Sequence, residues 1–87
     1  MQTPGYTIKR GKDARAQFSI AQSTFYDWQQ RGLMTPGISL GVRSVGWPAT
    51  ELDAIAAARI SGKSEDEIRA LVQYLIAARA DVGKLAA

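Results

Sequence analysis

Apolar residues recur at helical spacing in four segments of the chain, with a stretch of alternating apolar and polar residues between the second and third segments. The first segment, residues 12–18, predicts a short helix with Ala14 and Phe18 on one face. The second begins after Ser19, which has the spacing of a capping box with Gln22, and runs to about Arg31, before Gly32. Two helices joined by so short a break predict a helix-turn-helix.

The second predicted helix has one apolar and one polar face. Its buried stripe is formed by Ala21, Thr24, Phe25 and Trp28. Its exposed face carries Gln22, Ser23, Tyr26, Asp27 and Gln30. That face has no Lys or Glu, the residues that ordinarily solvate a helix, and its donors and acceptors suit contact with a polar surface. The alternative is a polar face that only meets solvent.

The alternating stretch covers residues 38–47 and predicts a β-hairpin with one face packed inward. Gly-Val-Arg-Ser lies between its two strands and supplies the turn, with Arg43 at the tip. The apolar residues that share one side of a strand are Ile38 with Leu40, and Val45 with Trp47.

A third helix is predicted to begin near Pro48, with Thr50 as a candidate N-cap, and to end before Gly62. A second capping box, at residues 64–67, starts a fourth helix that runs to about Ala80 and carries a continuous apolar stripe. The order helix, helix, hairpin, helix, helix predicts a winged helix-turn-helix. Its class is α+β and mostly helical, and the hairpin is the wing.

The 87 residues leave room for one small domain. The predicted elements divide it into a flexible N-terminal arm over residues 1–10, a winged helix-turn-helix DNA-binding domain over residues 11–61, and the C-terminal helix over residues 62–87. We expect that last helix either to pack on the domain or to mediate self-association.

The chain has no Cys and no His. This composition excludes disulfides, the usual zinc sites and nucleophilic catalysis through Cys or a His base. We therefore expect no metal or other cofactor. No window contains the about 18 to 20 apolar residues that a membrane span needs, so we expect a soluble cytoplasmic protein.

The net charge of +3 is distributed unevenly. Up to Trp47, six basic residues stand against two acidic ones, whereas five basic residues stand against six acidic ones in the remainder. A basic half favours a polyanionic partner such as nucleic acid, and a charge that only aids solubility is the alternative. An enzyme is not expected, because no base partner, metal set or glycine-rich phosphate loop accompanies the candidate acids Asp13, Asp27, Glu51 and Asp53.

Residues 19–54, SIAQSTFYDWQQRGLMTPGISLGVRSVGWPATELDA, resemble the AlpA family of prophage regulatory proteins. The resemblance lies in STFYDW, the RG after it, and LGVRSVGW followed by a helix with acidic residues. Members of this family are small winged helix-turn-helix proteins related in fold to phage excisionases and MerR-type regulators.

This resemblance implies a sequence-specific protein for double-stranded DNA, encoded on a prophage or integrative element and associated with the bacterial nucleoid. Its sites would lie at an attachment site or at the promoter of integrase or excision genes. It would act either as an excisionase, that is a recombination directionality factor, or as a transcriptional regulator. Further copies of the chain along the DNA, and the integrase, are the implied protein partners.

The sequence departs from the family pattern at three positions. Ala21 stands where members often have an N-capping Ser, and Ser19 is expected to take over that cap. Gln22 and Asp27 stand where members often carry Arg. These two changes should weaken the attraction of phosphates along the second helix and alter the bases that it reads.

In a helix-turn-helix, the second helix places its N-terminal residues against base edges in the major groove. Gln22 can bond adenine through two hydrogen bonds, and Ser23 and Tyr26 can reach a base or a phosphate. Asp27 either accepts from a cytosine amino group or pairs with Arg31 one turn later. Together with Gln30, the exposed residues of this helix are the candidate DNA contacts.

Arg43 at the wing tip and Ser44 beside it are the candidate contacts to the adjacent minor groove or its phosphates, because a narrow minor groove attracts arginine. Further candidate phosphate contacts are Lys9, Arg10, Lys12 and Arg31. The alternative function is a winged-helix adaptor that binds protein and has no direct DNA readout.

Overall fold

The computed structural model describes residues 6–86 of the chain. The elements follow in the order strand β1 (Ile8–Arg10), helices α1 (Gly11–Phe18) and α2 (Gln22–Gln30), strands β2 (Ile38–Gly41) and β3 (Ser44–Pro48), and helices α3 (Ala49–Ile60) and α4 (Glu65–Ala86). The predicted α+β winged helix-turn-helix is confirmed: α1 and α2 form the helix-turn-helix, and β2 and β3 form the wing.

Strand β1 adds a third strand to the wing. The sheet order is β1-β3-β2 and all pairs are antiparallel, with Lys9 opposite Trp47. The flexible arm predicted over residues 1–10 therefore does not extend to residues 8–10, whose backbone is paired with β3. Three residues are too few for an alternating pattern to show in the sequence. Residues 1–5 of that predicted arm lie outside the described residues.

The two strands of the wing place their apolar residues on opposite faces of the sheet. Ile38 pairs with Gly46, so it lies on the face opposite to that of Trp47. Trp47 is buried, whereas Leu40 is 46% exposed and Val45 is 49% exposed. The expectation of a single inward-packed face was therefore wrong, since the register pairs Ile38 with Gly46 and Ser39 with Val45.

Gly46 is required where β3 passes between its two neighbours. A Cβ added there would lie 2.5 Å from Cγ2 of Ile8 and 2.9 Å from Cδ1 of Leu40. The side chains of both outer strands thus close over the middle strand because it has no side chain at this position.

The hydrophobic core lies between the helices and the inner face of the sheet. It is formed by Ala14, Phe25, Leu33, Met34, Trp47, Leu52, Ile55, Ala58, Ile68 and Val72. Ile68 and Val72 belong to α4, and further residues of the same stripe, among them Leu75, pack against the core. Of the two roles considered for the last helix, packing on the domain is the one its apolar stripe has in this structure.

The two predicted capping boxes had different outcomes. Ser19 adopts a left-handed backbone (φ 55°) after α1, and the N-cap of α2 is Ala21, without a side-chain hydrogen bond. The box at Ser19 was therefore wrong, because the tight turn between the helices uses this residue. The box of α4 is confirmed: the backbone N–H of Ser64 donates to Glu67 (3.0 Å), and that of Glu67 donates to the Ser64 hydroxyl (3.2 Å). The bond from the Ser64 N–H lowers the pKa of Glu67.

A buried ion pair fastens α4 to α3. The guanidinium of Arg79 donates to both carboxylate oxygens of Glu51, each at 2.7 Å, and also to the carbonyl of Pro36 at 2.8 Å. Glu51 is only 5% exposed. No local pattern around Glu51 indicates this distant partner. The N-cap of α3 is Pro48 and not the candidate Thr50.

Replacing Arg79 tests how much this pair matters. Arg79→Met would leave the buried Glu51 carboxylate uncompensated, and we expect the free energy of unfolding to fall by about 3 kcal/mol. Urea denaturation followed by circular dichroism measures this loss. The control is Lys63→Met, which breaks an exposed pair with Glu67 and should cost at most about 0.5 kcal/mol. Equal losses in the two variants would contradict the role given to the buried pair.

Candidate nucleic-acid interface

Helix α2 turns a continuous polar face to solvent. The predicted contact residues Gln22, Ser23, Tyr26, Asp27 and Gln30 are all exposed. On the opposite side Phe25 is buried and Trp28 packs edge-to-face on Phe18, with ring centroids 5.5 Å apart. The rotation of the helix about its axis is thus the one that its apolar spacing predicts.

Arg59 of α3 packs against the apolar face of α2, which is turned toward the core. Its guanidinium carbon lies 3.7 Å from the centre of the Trp28 ring, in a cation–π contact. Burial lowers the pKa of Arg59, and its Nε and Nη2 atoms are buried with no hydrogen-bond partner. Arg59 is therefore a packing residue behind the polar face and not a part of that face.

The wing is fixed to α2 through Trp47. Its ring packs edge-to-face on Phe25 at a centroid distance of 5.0 Å, and its Nε1–H donates to the carbonyl of Thr35 at 2.8 Å. The side chain of Gln29 in α2 donates to the same carbonyl at 3.3 Å. The contacts set the position of the wing relative to the polar face of α2.

A groove of about 230 Å³ runs between the start of α1, the helix α2 and strand β3. Two predicted contacts, Gln22 and Tyr26, lie in its wall together with Arg15. Sequence reasoning missed Arg15, which lies one turn into α1 and donates from Nε to the carbonyl of Gly11 at 3.1 Å. No pattern in the sequence showed that this side of α1 would border α2.

The wing tip consists of Val42 and Arg43, both exposed. Arg43 has a left-handed backbone (φ 60°), which a non-glycine residue adopts only at a cost in energy. Val42 is 91% exposed and is a second tip residue that sequence reasoning did not select. Ser44, the other predicted wing contact, is partly buried at the start of β3.

The cations of β1, α1 and the wing tip are not engaged in ion pairs with other described residues. Within residues 6–82, the cations that form no ion pair and lie on β1, α1 or the wing tip are Lys9, Arg10, Lys12, Arg15 and Arg43. Of these, Lys9 donates to the side chain of Gln17 at 2.7 Å, which engages it within the protein. Of the remaining cations, Arg15 lies in the wall of the groove that holds Gln22 and Tyr26. Arg10 is paired with Gly46 and therefore shares the face of the sheet opposite to that of Trp47.

Arg31, at the opposite end of α2, is engaged by carboxylates. Its Nη2 donates to both oxygens of Glu65 at 2.8 Å, and its Nη1 lies 3.5 Å from an oxygen of Asp27. Attraction by Glu65 raises the pKa of Arg31. The pairing of Asp27 with Arg31 is thus present but long, and the C-terminal end of α2 meets the acidic start of α4.

A second concavity, of about 400 Å³, lies on the other face of the sheet, against the second half of α4. Its wall is mainly apolar and includes Tyr6, Ile8, Ile38, Leu75 and Val82.

Among the described residues there is no cluster of three or more His, Cys, Asp or Glu side chains that could bind a metal. In the same part of the chain, no helix has the length and apolar character to cross a membrane.

The backbone of Arg43 yields a prediction about stability. Arg43→Gly removes the left-handed strain, and we expect it to raise the free energy of unfolding by about 1 kcal/mol. Arg43→Ala removes the same charge but keeps the strain, so it serves as the matched control. Thermal and urea unfolding of the three proteins would show this difference. A glycine variant no more stable than the alanine variant would show that the turn is not strained at this residue.

A model of the family described as "Prophage CP4-57 regulatory protein (AlpA)" matches residues 8–60. No curated protein and no solved structure matches the chain. The matched residues begin with β1 and end with the last residue of α3, so they contain the helix-turn-helix and the wing but not α4. The chain therefore belongs to the AlpA family of prophage regulatory proteins.

Proposed function

We propose that this protein regulates a prophage or integrative element by binding specific sequences in double-stranded DNA. In this proposal α2 enters the major groove and the wing lies over the adjacent minor groove. The observation that carries it is the exposed polar face of α2, with Arg15 in the groove beside Gln22 and Tyr26 and with further cations on α1 and the wing tip that form no ion pair within the described part of the chain. These cations supply the attraction to phosphates that α2 itself lacks.

Base readout is assigned to the first turns of α2. Gln22 begins the helix and faces the groove, where its amide can make two hydrogen bonds to adenine. Ser23 is exposed beside it, and Tyr26 follows one turn later with 62% of its surface exposed. Asp27 and Gln30 lie toward the acidic start of α4, where phosphates are repelled, so their contribution is smaller.

Positioning on the duplex is assigned to the unpaired cations. In this proposal Lys12 and Arg15 contact phosphates beside the major groove, and Arg43 reaches the minor groove or its phosphates. Arg10 lies on the face of the sheet opposite to that of Trp47 and has a smaller part. Ser44 supports the wing contact from the start of β3. Lys9 and Arg31 are already engaged by protein groups and carry less of this role.

One DNA-binding mode serves two biological outcomes. At an attachment site the protein would act as an excisionase, assembling with the integrase; at the promoter of integrase or excision genes it would act as a transcriptional regulator. A single module of this size makes few base contacts, so several copies per site are expected to bind cooperatively. The place of action is the bacterial nucleoid.

The alternative function is a protein-interaction adaptor, and the apolar concavity between the sheet and α4 is the surface that favours it. The two functions differ in their response to salt. DNA binding through Lys12, Arg15 and Arg43 gives a slope of log K against log salt of about −2.7. A mainly apolar protein contact would change little over the same range.

The test begins by selecting the preferred duplex from a random pool and comparing it with attachment-site and integrase-promoter DNA. Fluorescence anisotropy then gives the affinity for the selected and the shuffled duplex over a salt series. Arg43→Ala should weaken binding to both duplexes and make the slope of log K against log salt less steep by about 0.9. Gln22→Ala should lose about 1 to 3 kcal/mol of discrimination at one base pair. Lys63→Ala, which removes one charge away from the groove, should change neither.

Equal affinity for selected and shuffled DNA, with no effect of Arg43→Ala or Gln22→Ala, would refute the proposal. Such a result would favour the adaptor. Where the wild type prefers a native fragment, that fragment separates the two roles: attachment-site DNA indicates excision, and promoter DNA indicates transcriptional control.

A further inference from the structure

Helix α4 lies beyond the family-matched residues. Its first two turns nevertheless contact the C-terminal end of α2, the proposed recognition helix. Glu65 accepts two hydrogen bonds from the guanidinium of Arg31, both 2.8 Å long. In return, Nε of Arg69 donates to the backbone carbonyl of Arg31 at 2.8 Å. One residue at the C-terminus of α2 is thus bound by α4 through its side chain and through its main chain.

The neighbouring residues fit this contact. Gly32 ends α2 with a left-handed backbone (φ 74°), and the aliphatic part of the Arg69 side chain lies over it, 3.7 Å from where a Cβ would be. Arg69 also approaches Glu65 at 3.6 Å and Asp66 at 3.0 Å, so it holds the carboxylate that holds Arg31. The arrangement is a built contact between two helices and not a chance approach of two long side chains.

The pair remains accessible to DNA. The side chains of Arg31 and Glu65 are 44% and 51% exposed, so a phosphate can compete with the carboxylate for the guanidinium. Arginine bonds both groups with the same two-pronged geometry. Glu65 therefore engages the guanidinium donors of Arg31 that a DNA phosphate would use.

We propose that Glu65 acts as an intramolecular competitor for DNA phosphate, holding Arg31 and lowering the sequence-independent affinity of the recognition helix. The inference rests on the proposed function. A contact from Arg31 to phosphate would form on any sequence, since phosphates carry no base information. Because Glu65 withdraws Arg31 from this contact, α4 lowers the occupancy of the many non-specific DNA sites that compete with the regulatory site.

The test uses Glu65→Gln, which keeps the size of the side chain and removes the charge that pairs with Arg31, leaving Arg31 only its long contact with Asp27 among the described carboxylates. On a shuffled duplex at low salt we expect an affinity about fivefold higher than that of the wild type, with a salt slope steeper by about 0.9. Asp66→Asn is the matched control, because it changes the net charge equally in the same helical turn but does not touch Arg31. A third protein combines Glu65→Gln with Arg31→Gln and should lose the gain.

A fivefold gain in Glu65→Gln that is absent from Asp66→Asn and from the double variant would support the inference. Equal affinities for Glu65→Gln and Asp66→Asn would overturn it, as would a gain that persists without Arg31. Failure of the proposed function is read separately, as a wild type that does not prefer the selected duplex over the shuffled one.

Discussion

Trp47 connects the three parts on which the proposed interface depends. It belongs to the wing, it packs edge-to-face on Phe25 of the recognition helix, and it donates a hydrogen bond to Thr35 in the loop between them. Close neighbours leave it little room, since a Cβ at Gly37 would lie 3.1 Å from its ring. These contacts hold the wing and α2 together without DNA, and such preorganisation lowers the ordering cost of binding.

The charges are arranged along α2 as a gradient. The groove beside its N-terminal half is lined by Arg15 of α1, which forms no ion pair with any described residue, and its C-terminal end meets the carboxylate of Glu65. Helix α2 has no lysine, and Arg31 at its end is already paired. In the proposed complex the attraction of DNA to α2 therefore depends on cations of other elements. Helix α4 has two tasks, because the same helix completes the core through Ile68 and contacts the recognition helix at its end.

Features set by local chemistry were predictable from the sequence, and features set by distant contacts were not. The end of α2 at Gly32 follows from backbone preference, and the polar face of α2 follows from its apolar spacing. Ser19 matched a capping pattern, but the turn between α1 and α2 required it elsewhere. The pairing of residues 8–10 with β3 and the burial of Glu51 against a residue 28 positions away both depend on tertiary structure that no local pattern records.

In the proposed function the N-terminal half of α2 and the wing tip together form the DNA-reading surface. An NMR titration of the isotope-labelled protein with its selected duplex tests this proposal, because it reports on every backbone amide without altering a residue. We expect the largest chemical-shift changes in residues 22–26 and 42–44, with residues 70–82 nearly unchanged. Largest changes along α4 and the apolar concavity, at Ile8 and Leu75, would contradict it.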